Sequence, residues 1–82
     1  MKSDIEKLIK DLDENHKGCL GRLMLLDKLG SVKLSVCRNP EIVKKLKTLG
    51  LISVHPDKDY HRLTKKGQMM VDNIYEYLDT KF

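Results

Sequence analysis

The chain reads as an α+β protein, mostly helical, and three observations predict this. Stretches with helical spacing or helix-capping residues occupy most of the sequence. Two short β-prone runs, "LISVHP" and "YHRLT", flank a polar turn. One segment, "NPEIVKKLKTLG", has both of its helix ends marked by residue type.

The first helix is predicted over residues 1–16. Ser3 and Glu6 stand in capping-box spacing, and Ile5, Leu8, Ile9 and Leu12 form one apolar stripe. In "CLGRLMLLDKLG", Leu20, Leu23, Met24, Leu25, Leu26 and Leu29 point in most directions, which describes a central, buried helix. Gly18 and Gly21 would admit a close neighbour, and Gly30 supplies a stop. "SVKLSVCRN" is ambiguous: Val32, Leu34 and Val36 alternate as in a strand, whereas Ser31 suits an N-cap, and a short helix is the favoured reading.

"NPEIVKKLKTLG" then has Asn39 as N-cap, Pro40 at the first helical position, Glu41 in the first turn and Gly50 as the stop. This gives a helix over about residues 39–49, closing a helical core of residues 17–50. Ile42, Val43, Leu46 and Leu49 fall on one arc, so Glu41, Lys44, Lys45 and Thr48 take the opposite face. A hairpin over residues 51–63 follows, with Pro56, Asp57, Lys58 and Asp59 in its turn. Residues 64–82 form a closing helix capped by Thr64. Its Met69, Met70, Val71, Ile74, Tyr75, Tyr77 and Leu78 cover more than one face, so a subunit interface through the first and last helices is expected.

Composition bounds the function. An 82-residue chain makes one small domain that buries only about 60% of its unfolded surface. Sixteen Lys and Arg against twelve Asp and Glu give a net charge of +4, which favours a polyanionic partner. The first residues, "MKSDIEKLIK", interleave acids with apolar residues and carry no export signal, and no segment approaches a membrane span. A cytoplasmic protein is therefore expected. Cys19 and Cys37 match no zinc spacing and read as buried thiols.

The run "LKTLGLI", with Leu46, Leu49, Gly50, Leu51 and Ile52, followed by "DKDYHRLTKKG", resembles the recognition-helix exit, wing and final helix of MarR-like and related winged helix-turn-helix regulators. The resemblance covers roughly residues 30–80 and is strongest over Leu46 to Gly67. It implies a winged helix-turn-helix fold with a two-stranded wing and a C-terminal helix. It also implies binding of double-stranded DNA as a small dimeric transcriptional regulator. Departures are a short Gly30 to Pro40 stretch, a short wing tip and no ligand-binding extension.

Helix-turn-helix proteins read base edges with the N-terminal part of the recognition helix and hold phosphates with its flanks. By position the candidates are Arg38, Asn39, Glu41, Lys44, Lys45 and Thr48. The wing adds Lys58, His61 and Arg62; adjacent strand residues face opposite ways, so Arg62 is preferred for phosphate. Lys65 and Lys66 oppose the dipole at a helix N-terminus, a conflict that a bound phosphate would relieve. The plainer reading of each is a solvated basic face. The main alternative function is a winged-helix protein–protein interaction module with an acidic partner. A metal sensor built from His16, Cys19, Cys37, His55 and His61 is a lesser alternative: His16 and Cys19, three apart, can share a helical face, but a site needs further ligands; no catalytic motif is present, and neither cofactor nor catalysis is expected.

Overall fold

A computed structural model describes residues 2–36, 39–55 and 59–81. Four helices run over Lys2–Asn15 (α1), Cys19–Leu29 (α2), Pro40–Thr48 (α3) and Lys65–Lys81 (α4). Three strands, Val32–Lys33 (β1), Ile52–His55 (β2) and Tyr60–Leu63 (β3), make one antiparallel sheet in the order β1-β3-β2. The fold is thus α+β and mostly helical, as the spacing predicted.

Helix α1 begins at Lys2, so Ser3 lies inside the helix and not at its N-cap. The apolar stripe holds: Ile9 and Leu12 are buried, with Ile5 and Leu8 packed against the core. Helix α2 buries Cys19, Leu20, Leu23 and Leu26. It is less enclosed than its composition suggested, because Met24 and Leu25 are half-buried and Leu29 is 59% exposed. A Cβ on Gly18 would come within 2.6 Å of the Ile42 side chain on α3, whereas one on Gly21 would meet open space. Only the first of the two glycines therefore serves a close approach within the chain.

The ambiguous segment resolves into two pieces. Val32–Lys33 is a strand and Leu34–Val36 is one turn of 3-10 helix, so the short helix expected from Ser31 is not what forms. The reason lies far along the chain: Val32 and Lys33 pair with His61 and Tyr60, and the Leu34 amide donates to the Asp59 carbonyl at 2.9 Å. The expected two-stranded hairpin accordingly gains a third strand, with β3 at the centre.

Helix α3 matches its caps. Asn39 Oδ1 accepts from the Glu41 amide at 3.1 Å, and Pro40 opens the helix. At its end the Gly50 amide donates to Lys47 O and the Leu51 amide to Leu46 O, both at 3.0 Å, which is a Schellman closure. Gly50 makes it possible with φ of 75°. The next three carbonyls are all taken by the start of α4. Leu49 O accepts from Lys66 Nζ at 3.2 Å, Gly50 O from Thr64 Oγ1 at 2.6 Å, and Leu51 O from the Thr64 amide at 3.0 Å. Thr64 also caps α4, its hydroxyl accepting from the Gly67 amide at 3.1 Å.

Gly67 closes this joint. A Cβ there would collide with the Leu51 carbonyl oxygen, a backbone atom already fixed by Thr64. An ordinary helical Gly→Ala change stabilises by about 0.5–1 kcal/mol. Here the sign reverses: Gly67→Ala is expected to destabilise by roughly 1–3 kcal/mol through overpacking. For a domain of this size each kcal/mol lowers the midpoint of thermal unfolding by about 4–8 °C, which scanning calorimetry would read directly. An unchanged or raised midpoint would show that the joint is loose.

Candidate nucleic-acid interface

On α3, Glu41, Lys44, Lys47 and Thr48 are exposed, while Ile42, Val43 and Leu49 are half-buried and Leu46 is fully buried. The helix therefore packs by the arc its periodicity marked. Thr48 spends its hydroxyl on the Lys44 carbonyl at 2.8 Å, an i to i−4 bond within the helix. Lys45 is half-buried and turns towards the α1–α2 junction, sharing a hollow with Glu14, Asn15, His16 and Cys19. Lys47, absent from the residues singled out by sequence, is the better companion of Lys44. The two line a groove with Leu34, Pro40, Val43 and Val54, running between α3 and β2. Their spacing of three residues was the available signal, because it places both on one helical face.

Strand alternation decides the hairpin candidates. Arg62 is exposed, but His61 is 0% exposed, so His61 is corrected from a surface contact to a core residue. Lys66 also changes role. Its ammonium donates to the Leu49 carbonyl at 3.2 Å, at the negative end of α3, so the favourable field of that helix offsets the unfavourable α4 dipole for Lys66 without a phosphate. Lys65 remains exposed. Arg38 and Lys58 lie outside the described residues, as do Cys37, Pro56 and Asp57.

His61 sits on the helix-facing side of the central strand, opposite Val32 on β1 and Val54 on β2. Among the described residues neither ring nitrogen has a hydrogen-bond partner, and one terminal guanidinium nitrogen of Arg22, from α2, is buried in the same unpartnered condition. Burial pushes the imidazole pKa below its usual value, and the Arg22 charge pushes it the same way. The Val32 backbone lies close enough to pull weakly in the other direction without completing a bond. The ring is held neutral as part of the core.

The thiol of Cys19 is buried, and that burial raises its pKa, only partly offset by the Lys45 charge. It is accordingly a poor nucleophile. Among the described residues no three His, Cys, Asp or Glu side chains come together in a way that could hold a metal ion. No helix among them is long and apolar enough to cross a membrane.

An unfolded histidine takes up its proton near pH 6.5, whereas the buried ring of His61 resists it. Below that pH the unfolded state binds more protons. Stability complete above about pH 6.5 is then lost as the pH falls towards the folded-state value. Urea midpoints measured from pH 7.5 to 5 should fall for the wild type and fall less for His61→Gln, which carries no titrating ring. Parallel curves would remove His61 as the source. Comparison of the whole chain found no matching family model, and neither curated proteins nor solved structures gave a match.

Proposed function

We propose that this protein binds double-stranded DNA in a sequence-specific manner as a small dimeric transcriptional regulator with a winged helix-turn-helix arrangement. Helix α3 enters the major groove, and the β2–β3 hairpin lies on the backbone or minor groove. The observation that carries this reading is the α3 surface itself. It is a helix fixed at both ends by its caps, with Lys44 and Lys47 free beside the half-buried Val43 and Val54. Lysines neutralise phosphates, and small apolar side chains suit the thymine methyl group in the major groove. In this reading the exposed Glu41, in the first turn of α3, accepts from cytosine. Arg62 and Lys65 supply further cations for the flanking backbone.

The same groove also favours the second reading, a protein–protein interaction module with an acidic partner, because lysines beside apolar residues fit an acidic amphipathic segment. Sequence preference separates the two. A regulator prefers one duplex over random DNA by roughly 10³-fold or more.

Fluorescence anisotropy on a labelled duplex of about 30 bp at roughly 50 and 200 mM salt tests the interface. Lys44→Ala/Lys47→Ala should weaken binding and reduce the slope of log K against log salt by about 2, near 0.9 per lost phosphate contact. An unchanged slope would take α3 off the DNA, and no binding at low salt would favour the acidic protein partner.

The proposed dimer draws on a different surface from the one expected. The described apolar residues of α1 face inwards, and Tyr77 of α4 bonds Asp13 of α1 within the chain at 3.2 Å. The exposed apolar surface instead joins α2 to α4, where Tyr75, 46% exposed, stands beside Gly21, Met24 and Leu25. Sedimentation at tens of micromolar should give twice the chain mass for the wild type and the chain mass for Tyr75→Glu. A wild-type monomer would withdraw the dimer.

A further inference from the structure

The sheet divides its residues strictly between two sides. Val32, Ile52, Val54, His61 and Leu63 are buried or half-buried, whereas Lys33, Ser53, His55, Tyr60 and Arg62 are exposed. The α3 groove takes Val54 from the first side. The second side forms a separate surface that the duplex reading leaves without a reader of bases.

At one end of this outer side, on the middle strand, is an aromatic ring: Tyr60 is 38% exposed, with His55 directly opposite on β2 and Lys33 on β1. The Lys33 ammonium lies 6.0 Å from the ring centroid, at the outer limit of a cation–π contact. Two residues along the same strand, about 6.7 Å away at strand rise, is Arg62, opposite Ser53. Ser31, Ser53, His55, Tyr60 and Arg62 line one cleft, which also touches the buried His61 of the inner side, and none of these described residues is a carboxylate.

We infer that the outer face of the β1-β3-β2 sheet binds single-stranded nucleic acid, stacking an unpaired base on Tyr60 while Arg62 and Lys33 hold the adjoining phosphates. A flat aromatic ring amid cations and hydroxyls is the composition by which single strands are held without regard to sequence: bases stack, and the backbone follows the positive charge. A duplex cannot use the ring, because its base faces are already stacked on one another. An acidic peptide would satisfy the cations but leave the aromatic face without a planar partner. Arg62 serves both readings, but Tyr60 has no part in the duplex reading and stands on a different surface from Lys44 and Lys47, so base stacking is tested separately from the duplex reading.

The test is anisotropy with labelled 20-mers of dT and rU, an abasic strand of equal length, and the 30-bp duplex, all at about 50 mM salt. Wild type should bind the dT or rU strand. Tyr60→Ala and Tyr60→Leu should each weaken that binding ~10-fold or more, and Tyr60→Phe, which keeps the ring, should stay within about two-fold. The abasic strand should bind wild type as weakly as the dT strand binds Tyr60→Ala. Lys44→Ala/Lys47→Ala should keep single-strand binding, so a failure of the duplex reading leaves a separate signature. Tyr60→Leu retains an apolar strand residue and preserves the test should Tyr60→Ala fold poorly. Absence of single-strand binding by wild type would overturn the inference, as would Tyr60 variants that bind like wild type or an abasic strand that binds equally well.

Discussion

The joint between the end of α3 and the start of α4 is the constraint on which the other features depend. Three successive carbonyls, those of Leu49, Gly50 and Leu51, would be orphaned at a helix exit. Instead they are satisfied by Thr64 and Lys66, residues from beyond the hairpin. The chain between Leu51 and Thr64 must therefore leave and return to the same place, and the antiparallel pairing of β2 with β3 makes that excursion a hairpin. Strand pairing of Ile52 with Leu63 then continues directly from the joint. Gly67 is the steric condition for all of it, since only a residue without Cβ lets α4 approach the Leu51 carbonyl. Each bond is worth about 1 kcal/mol net, and at the buried Leu51 an unpaired carbonyl would cost more than forming the bond gains.

Beneath the hairpin, the strict alternation of β3 forces a choice that defines the surface. With His61 inward, Tyr60 and Arg62 must be outward, and a one-residue slip would exchange all three. An imidazole in the core is a costly occupant, and the neighbouring Arg22 makes its protonation costlier. Register is nevertheless secure, because β1 and β2 both pair with β3 and the Leu51–Thr64 joint sets the start of the ladder. The basic and aromatic face is thus a consequence of register and not of composition alone.

What was legible in the sequence was local. Asn39, Gly50 and the Thr64 cap act through bonds to residues within a few positions, and Pro40 through its own fixed backbone angle, so their types alone marked the ends of α3 and the start of α4. The apolar arcs of α1 and α3 were legible for the same reason. What was not legible depends on partners distant in sequence. Strand β1 has two residues and exists only because β3, nearly thirty positions later, offers it a ladder. Lys66 seemed misplaced until Leu49, 17 residues earlier, supplied the helix end it serves. His61 has no sequence feature that distinguishes a core imidazole from a surface one. The half-burial of Lys45 likewise depends on the α1–α2 junction, which the α3 sequence cannot reveal.

Helix α4 connects the surfaces. Its first turn is bound to the exit of α3, its middle buries Met70, Val71 and Ile74, and the exposed Tyr75 lies on its α2 side. Gln68 adds a hydrogen bond to Asp27 of α2 at 2.6 Å, fixing the helix about its axis. In the proposed dimer, two copies meeting at the α2–α4 face would therefore have the separation of their α3 helices set by packed elements, with no flexible linker between interface and reader. A two-fold dimer reading B-DNA needs its recognition helices about 34 Å apart, one helical turn. Any change that rotates α4, including one at Gly67, would alter that spacing while leaving Lys44 and Lys47 on α3. Affinity for a palindromic site would fall, and the contacts of a single subunit would persist.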